Sequence, residues 1–392
     1  MLYENHLVVL VRNMPKKLNL AFALFEYVPF GGMQKDLLRI ARECLARGHL
    51  VKIYAGLWEG KQPPNISVTV IPVKGIANHR RCKSFSDRFM RLCASMKYDL
   101  VVGFNKMPGL DVYFCADTCF AAKARCRFPL YRFTSRCRTY LDLERSVFRR
   151  NHKTWILMLS ERERDVYKQY YDTDDDRFFL IPPGISKDCI LPDNAHEIRR
   201  RLRKTIGISE EMFMILMVGS HFRTKGVDRS IRALASLPTE CRERSILVVV
   251  GDDRQRPFER LANRYNVKNR LLFMGGKENV NEFFFAADLL LHPSYRENTG
   301  AVLVEAMAAG LPVLATDVCG YGSHVMAARA GRLIPSPFRQ KTMNEMLAQM
   351  LLSDSLGTWS ENGRKYVHEV DVFSLPQAAA NVIEQAAVYA GR

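Results

Sequence analysis

Two glutamates, Glu297 and Glu305, lie eight residues apart in the segment Pro293-Ser294-Tyr295-Arg296-Glu297-Asn298-Thr299-Gly300-Ala301-Val302-Leu303-Val304-Glu305-Ala306-Met307. Its pattern is a strand end, a loop and a helix. A helix starting near Thr299 aims its unbonded first amides at the loop, which favours an anion such as a phosphate oxygen without any cation, and Gly300 lets a ligand come close. At about 3.6 residues per turn, Glu305 falls nearly two turns into that helix while Glu297 stays in the loop before it, so the two carboxylates can face one elongated ligand. The bland alternative is a solvated loop acid and a helix-surface charge. Against it, Glu305 is flanked by Val304, Ala306 and Met307, where a carboxylate wants hydroxyl or amide partners.

Two other strand-to-helix turns could serve a phosphate. Gly31-Gly32, in Tyr27-Val28-Pro29-Phe30-Gly31-Gly32-Met33-Gln34-Lys35-Asp36, would let backbone amides reach a phosphate or a sugar. Tight turns also need glycine for steric reasons, so that motif alone leaves both readings open. Arg223 and Lys225, in Val218-Gly219-Ser220-His221-Phe222-Arg223-Thr224-Lys225-Gly226, can neutralise a pyrophosphate leaving group as charge develops on it. A plain basic loop is the competing reading, since 58 Lys and Arg must be placed somewhere.

These loops need a scaffold, and the apolar pattern supplies one. Short apolar runs alternate with longer amphipathic stretches, the pattern of parallel strands joined by helical crossovers, so the fold class is α/β. Strands are expected at Leu18 to Phe25, Leu50 to Ala55, Val68 to Val73, Leu100 to Phe104, Val112 to Cys115, Trp155 to Leu159 and Phe178 to Ile181. A helix is expected over Met33 to Arg47, stopped by Gly48. After Pro182-Pro183-Gly184 a polar stretch runs to Asn194 and a basic run follows. A second series of strands then repeats the architecture at Phe213 to Val218, Ile246 to Val250, Leu271 to Phe273, Leu289 to Leu291 and Val313 to Ala315. The chain divides into an N-terminal domain over 1–190, a C-terminal domain over 191–369, and a last helix over 370–392 assigned to the N-terminal domain. Two similar halves imply a cleft between them, with ligands outside the carboxyl ends of the strands.

Composition excludes other classes. The chain has 392 residues, 47% of them apolar, which is globular composition and not disorder. The longest apolar runs, such as Met212 to Val218, fall far short of the roughly 18 to 20 residues of a membrane span. The only apolar stretch at the N-terminus, Leu7 to Val11, is shorter than a signal-peptide core, so no secretion signal is expected. The 10 cysteines include no CxxC pair, so reduced core thiols are expected, Cys115 and Cys119 among them, and no metal site. Asp172 to Asp176 has DxD spacing but reads as a solvated turn.

At the three loop segments the chain resembles retaining nucleotide-sugar glycosyltransferases of the GT-B fold, two Rossmann-like α/β domains facing each other across a cleft. Phe30-Gly31-Gly32-Met33-Gln34, the run Val102 to Phe114 with Asn105-Lys106-Met107-Pro108-Gly109 at its centre, and Lys225-Gly226-Val227-Asp228-Arg229-Ser230 are similar to lipopolysaccharide-core α-1,3-glucosyltransferases, which add the first glucose to inner-core heptose. The resemblance covers nearly everything from about Leu18 onward. Residues 1–17 have no counterpart and are set apart as an extension, disordered or preceding a true start at Met14.

The resemblance implies roles. Glu305 would accept hydrogen bonds from the ribose of UDP, and Glu297 would hold glucose hydroxyls beside the reacting carbon. Asn298 and the amides of Thr299, Gly300 and Ala301 would bind the sugar and phosphate end. Gly31 and Gly32 would approach the pyrophosphate, and Arg223 with Lys225 would offset its charge. Lys277 would lie at the uracil. Asp117 would sit where many relatives place a His near the sugar, and Asp36, Asn105 and Lys106 would lie on the acceptor side. Close relatives carry Arg directly before the lysine, where this chain has Thr224, and the arginine is Arg223. The implied chemistry is transfer of glucose from UDP-glucose with retention, the leaving phosphate acting as base, with no metal and no resident cofactor.

Between Ala121 and Lys153 stand ten Lys or Arg against Asp142 and Glu144, interleaved with Phe128, Leu130, Tyr131, Phe133, Tyr140, Leu141 and Phe148. Basic residues at an anionic bilayer contribute on the order of 1 kcal/mol each, and aromatic rings insert at the headgroup level. Lys123, Arg125, Arg127, Arg132, Arg136 and Arg138 are therefore expected membrane contacts of a cytoplasmic, peripherally attached enzyme whose acceptor is a lipid-anchored, heptose-containing lipopolysaccharide core on the inner membrane. A basic face whose rings belong to the core is the alternative. Other readings are a GT-B enzyme with another donor or acceptor, an epimerase of the same fold, or a nucleic-acid-binding protein. The net charge of +17 suits the last, but no nucleic-acid-binding motif accompanies it.

Overall fold

The computed structural model describes residues 17–29 and 31–391. Residues 1–16, with Met14 and nearly all of the expected extension, and Phe30 of the Gly-Gly turn lie outside the described residues.

The described chain forms two α/β units, each around a wholly parallel sheet. In the first unit the strands are β1 (Asn19–Tyr27), β2 (Leu50–Trp58), β3 (Ser67–Val70), β4 (Leu100–Gly103), β5 (Val112–Cys115), β6 (Trp155–Met158) and β7 (Phe178–Leu180), in the order β3-β2-β1-β4-β5-β6-β7. In the second they are β8 (Phe213–Val218), β9 (Ser245–Val250), β10 (Leu271–Gly275), β11 (Leu289–His292), β12 (Val313–Thr316) and β13 (Gly331–Ile334), in the order β10-β9-β8-β11-β12-β13. Both are doubly wound orders, in which the crossovers run outward in opposite senses from a switch point. That point lies between β1 and β4 in one sheet and between β8 and β11 in the other.

Helices on both faces explain the unbroken apolar runs. Every residue of β4, β5, β9 and β11 is buried, so both side-chain rows of these strands must be apolar or paired. β13 escaped the sequence reading because Arg332 interrupts its four residues. A Cβ at Gly331 would stand 2.0 Å from Val313 O, so glycine is needed for β13 to close against β12.

The division between units falls at Ile181/Pro182, with Leu159–Arg162 also in the second unit, and not at 190/191. Packing explains the shift: Ile185 and Cys189 are buried in the core of the second unit, and Ile185 N donates to Val372 O at 3.0 Å. The last helix begins at Leu375, not 370, and belongs to the first unit. It is held to the helix Gly32–Ala46 and the turn after it by Arg47, which donates to Asn381 at 2.7 Å and pairs with Glu384 at 2.8 Å, and by His49, 2.9 Å from Glu384.

Candidate active site

The loops leaving β8 and β11 meet at the switch point of the second sheet. The basic loop ends at Gly226, whose φ is +84° and whose Cβ, were it present, would stand 2.2 Å from Pro293 O. Glycine there lets the two loops touch. The short helix Phe222–Lys225 is started by Asp253, which accepts from Phe222 N at 2.7 Å. The loop after β11 is pinned from below by Arg229, buried between the rings of Tyr295 and Phe338 at 3.5 and 3.6 Å. Arg229 donates to Pro293 O and Ser294 O at 3.0 and 3.1 Å, and Thr316 also donates to Ser294 O, at 2.9 Å. Tyr295 N donates to Thr224 O at 2.8 Å. These bonds tie the two loops to each other and to the elements beneath them.

On that platform Lys225 Nζ bonds Glu297 Oε2. The same oxygen lies 3.2 Å from His292 Nε2 and 3.5 Å from Ser294 Oγ, and Ser294 Oγ is 3.0 Å from His292 Nε2. Burial alone would push the Glu297 carboxyl up, but the His292 hydrogen bond and the Lys225 charge outweigh it and hold the group down at about 2. Burial pushes His292 below the usual imidazole range. At neutral pH Glu297 is thus a carboxylate and His292 an uncharged ring.

The following helix, Ala301–Ala308, starts two residues later than expected because Gly300, at φ +76°, forms its N-cap. Asn298 O and Thr299 O accept from Gly320 N and Tyr321 N at 3.0 and 2.8 Å, which fixes the approach to the helix. Its start faces the loop that carries Glu297, and Glu305 sits half-buried on the same helix. Arg223 is exposed in the basic loop, and Lys277 is exposed just past the end of β10. The geometry joins Lys225, Glu297 and the start of the helix, and leaves Arg223 and Lys277 on open loops.

The first unit presents its own strand ends. Gly31 closely approaches the Gln34 side chain, which donates to Glu26 O at 3.0 Å, whereas a Cβ at Gly32 would meet nothing within 4 Å. Room for a ligand therefore exists at Gly32. Asp36 lies on the helix that follows, 4.0 Å from Arg39. Asn105 accepts from Phe25 N at 2.6 Å, tying the end of β4 to β1. Lys106 bonds Glu144 at 2.6 Å, and Glu144 is fully buried, also accepting from Phe120 N, Ala121 N and Tyr171. Asp117 is exposed beyond β5, and its carbonyl accepts from Tyr167 OH at 3.0 Å.

The basic segment folds as helix Phe120–Arg125, a 3-10 turn Pro129–Phe133 and helix Ser135–Phe148. Its rings divide. Phe148 is core, stacked on Tyr167 at 3.8 Å, whereas Phe128, Leu130 and Phe133 are 62%, 69% and 54% exposed. A cavity of about 760 Å³ opens beside them, lined among others by Arg125, Arg127, Arg132, Arg145 and Arg149. No helix among the described residues is long and apolar enough to cross a membrane. Asp172 and Asp174 pair with Arg150, and Asp175 with Lys168, all on the surface.

Residues 198–366 match the family model described as glycosyl transferases group 1, and residues 30–188 match glycosyltransferase family 4. The chain is 44% identical over 365 residues to the lipopolysaccharide glucosyltransferase WaaG of Escherichia coli K12, covering 93% of this chain and 98% of that protein. The chain belongs to the group 1 glycosyl transferases. The crystal structure of WaaG, a glycosyltransferase involved in lipopolysaccharide biosynthesis, matches this glycosyltransferase with a TM-score of 0.89 over 93% of this chain and 99% of that one. A D-inositol 3-phosphate glycosyltransferase of Xylanimonas cellulosilytica is 33% identical over 336 residues, 78% of this chain and 79% of its own. The expected pair of Rossmann-like domains, GT-B in kind, and the glycosyltransferase class both hold.

In this glycosyltransferase the residues that sequence reasoning missed are His292, Ser294 and Arg229. The first two stand at a strand end with one residue between them, on one face of an extended chain. A histidine closing an otherwise apolar run was the available signal.

Proposed function

We propose that this enzyme transfers glucose from UDP-glucose, with retention, to heptose in the inner core of a lipopolysaccharide at the cytoplasmic face of the inner membrane. The observation that carries the reading is the Lys225–Glu297 pair beside the start of helix Ala301–Ala308. A cation, the first amides of a helix and an ionised carboxylate stand together, and these are the groups that suit a diphosphate and its sugar. The identity with a lipopolysaccharide glucosyltransferase over 93% of the chain supports the choice of donor sugar and acceptor.

Lys225 and the amides of Gly300 and Ala301 offset charge on the diphosphate, with Arg223 reaching in from its exposed position. The chain's own cations and amides suffice for this, so no resident cofactor is part of the proposal. Glu305 accepts from the ribose hydroxyls, Glu297 from a glucose hydroxyl, and Lys277 lies toward the base. The bond from the anomeric carbon to the phosphate oxygen breaks while the acceptor oxygen bonds that carbon on the same face. The acceptor's proton passes to the departing phosphate. In the first unit, Gly32 leaves space for a ligand, Asp117 and Asp36 are the acids proposed for the acceptor, and Asn105 and Lys106 act by fixing that unit's loops. The exposed Phe128, Leu130 and Phe133 beside the arginine-lined cavity support attachment to an anionic bilayer.

The test is incubation of the purified enzyme with a panel of nucleotide sugars and truncated lipopolysaccharide, with products read by mass. Addition of a single hexose from UDP-glucose to heptose-terminated acceptor is expected. Transfer from another donor, or to acceptor lacking heptose, overturns the proposal.

A further inference from the structure

Glu297 has two carboxylate oxygens, and the contacts described for it all fall on one. Lys225 Nζ, His292 Nε2 and Ser294 Oγ converge on Oε2, which leaves Oε1 to a ligand. His292 is fully buried at the end of β11, and its Nδ1 has no partner among the described residues. A buried ring with one nitrogen unpaired carries a desolvation cost that an apolar residue of the same shape would not. This one leaves Nδ1 unpaired while its Nε2 faces an acid. A carboxylate only accepts, so the ring carries its proton on Nε2 and the lone pair on Nδ1. Ser294, also fully buried, braces both partners, and its own backbone is fixed by Arg229 and Thr316.

We infer that His292 and Ser294 are positioning residues that hold Glu297 by Oε2 and turn Oε1 toward a hydroxyl of the donor hexose. The inference rests on the proposed donor role of Glu297. Lys225 alone is a poor substitute for them. It is a flexible cation that a diphosphate also attracts, whereas the ring and the hydroxyl have no competing ligand and keep the carboxylate aimed once the donor is bound. Orientation of this kind is realised most fully in the transition state, so it raises kcat more than it tightens ground-state binding.

The test compares His292→Phe, which keeps a ring but loses the donor, His292→Gln, which restores an N–H near Nε2, and Ser294→Ala. Each is assayed for kcat, donor KM, UDP affinity, thermal midpoint and discrimination between UDP-glucose and its 3-deoxy and 4-deoxy analogues. His292→Phe is expected to lower kcat about 10- to 100-fold, the range for loss of a hydrogen bond to a charged group, with UDP affinity held within about threefold. Its preference for UDP-glucose over one deoxy analogue should shrink by a similar factor, and His292→Gln should recover much of both. If His292→Phe does not fold, Ser294→Ala carries the test with a smaller loss of the same pattern. Unchanged kcat, equal losses in kcat and UDP affinity, or undiminished discrimination overturns the inference. Nitrogen-15 NMR of the ring separates this from failure of the donor reading, because it needs no substrate. An Nε2–H tautomer whose signals move in Glu297→Gln supports the contact, and signals indifferent to that change overturn it whatever the enzyme transfers.

Discussion

Lys225 Nζ is bonded to Glu297 across the switch point of the second sheet, joining a loop that follows β8 to one that follows β11, 72 residues apart. The pair neutralises itself in the described state, and on the proposed reading a diphosphate would draw Lys225 away while His292 and Ser294 keep hold of the acid. Glu297→Ala is expected to reduce turnover by about 100-fold or more, the scale on which positioned polar groups act on a transition state. UDP affinity, measured by calorimetry, should stay close to that of the parent.

Glu305→Ala should give the opposite pattern. On its proposed role at the ribose, loss of charged hydrogen bonds worth about 1.5–3 kcal/mol is expected to weaken UDP binding roughly 10- to 100-fold. Equilibrium binding measures it directly, and a Glu305→Ala protein that binds UDP normally while losing turnover would reverse the assigned roles.

The low carboxyl of Glu297 makes a statement about stability. A group at about 2 in the fold and at an ordinary value of 4.5 outside it stabilises the protein fully above pH 4.5, and that contribution fades as pH falls from there through about 2. The difference in thermal midpoint between parent and Glu297→Gln, followed by circular dichroism, should therefore be largest at neutral pH and narrow below pH 4.5.

Lys106 offers a test in the first unit. Its removal as Lys106→Met leaves Glu144 charged and fully enclosed, and breaking one side of a buried pair costs about 3–5 kcal/mol. Burial tends to raise the Glu144 carboxyl, but Lys106 and the surrounding donors hold it low. Denaturant unfolding should show the loss. Replacing an exposed pair such as Arg145 and Asp142 should cost under about 1 kcal/mol.

Charge reversal at Arg125, Arg127 and Arg132 together should weaken binding to phosphatidylglycerol vesicles by more than about 100-fold at low salt, taking on the order of 1 kcal/mol for each cation removed. Neutral vesicles should bind neither protein, and turnover on a soluble truncated acceptor should change little. Sedimentation with vesicles at two ionic strengths checks it.

Much of this architecture could be read in the chain because it follows from local rules. Strands buried on both faces, such as Val112–Cys115, show as unbroken apolar runs, and a switch-point site follows from strand order once the alternation is seen. The Glu297 loop was legible for the same reason. What stayed hidden depends on partners distant in sequence. Nothing near Lys106 announces Glu144, 38 residues on, and nothing local says that Phe148 turns inward while Phe128 stays out. Nor does β13 carry an apolar pattern, since it is an edge strand with Arg332 at its second position. His292 differs, because its place in the pattern was visible and only its partners were not.

The helix Leu375–Tyr389 completes the first unit although the whole second unit precedes it in the chain. During synthesis, then, the first sheet leaves the ribosome with one flank uncovered and stays so until Leu375–Tyr389 emerges, while the later unit can close as soon as residue 374 is out. A stop codon placed directly after residue 374 should therefore spare the module just upstream of it and cripple the one built on β1.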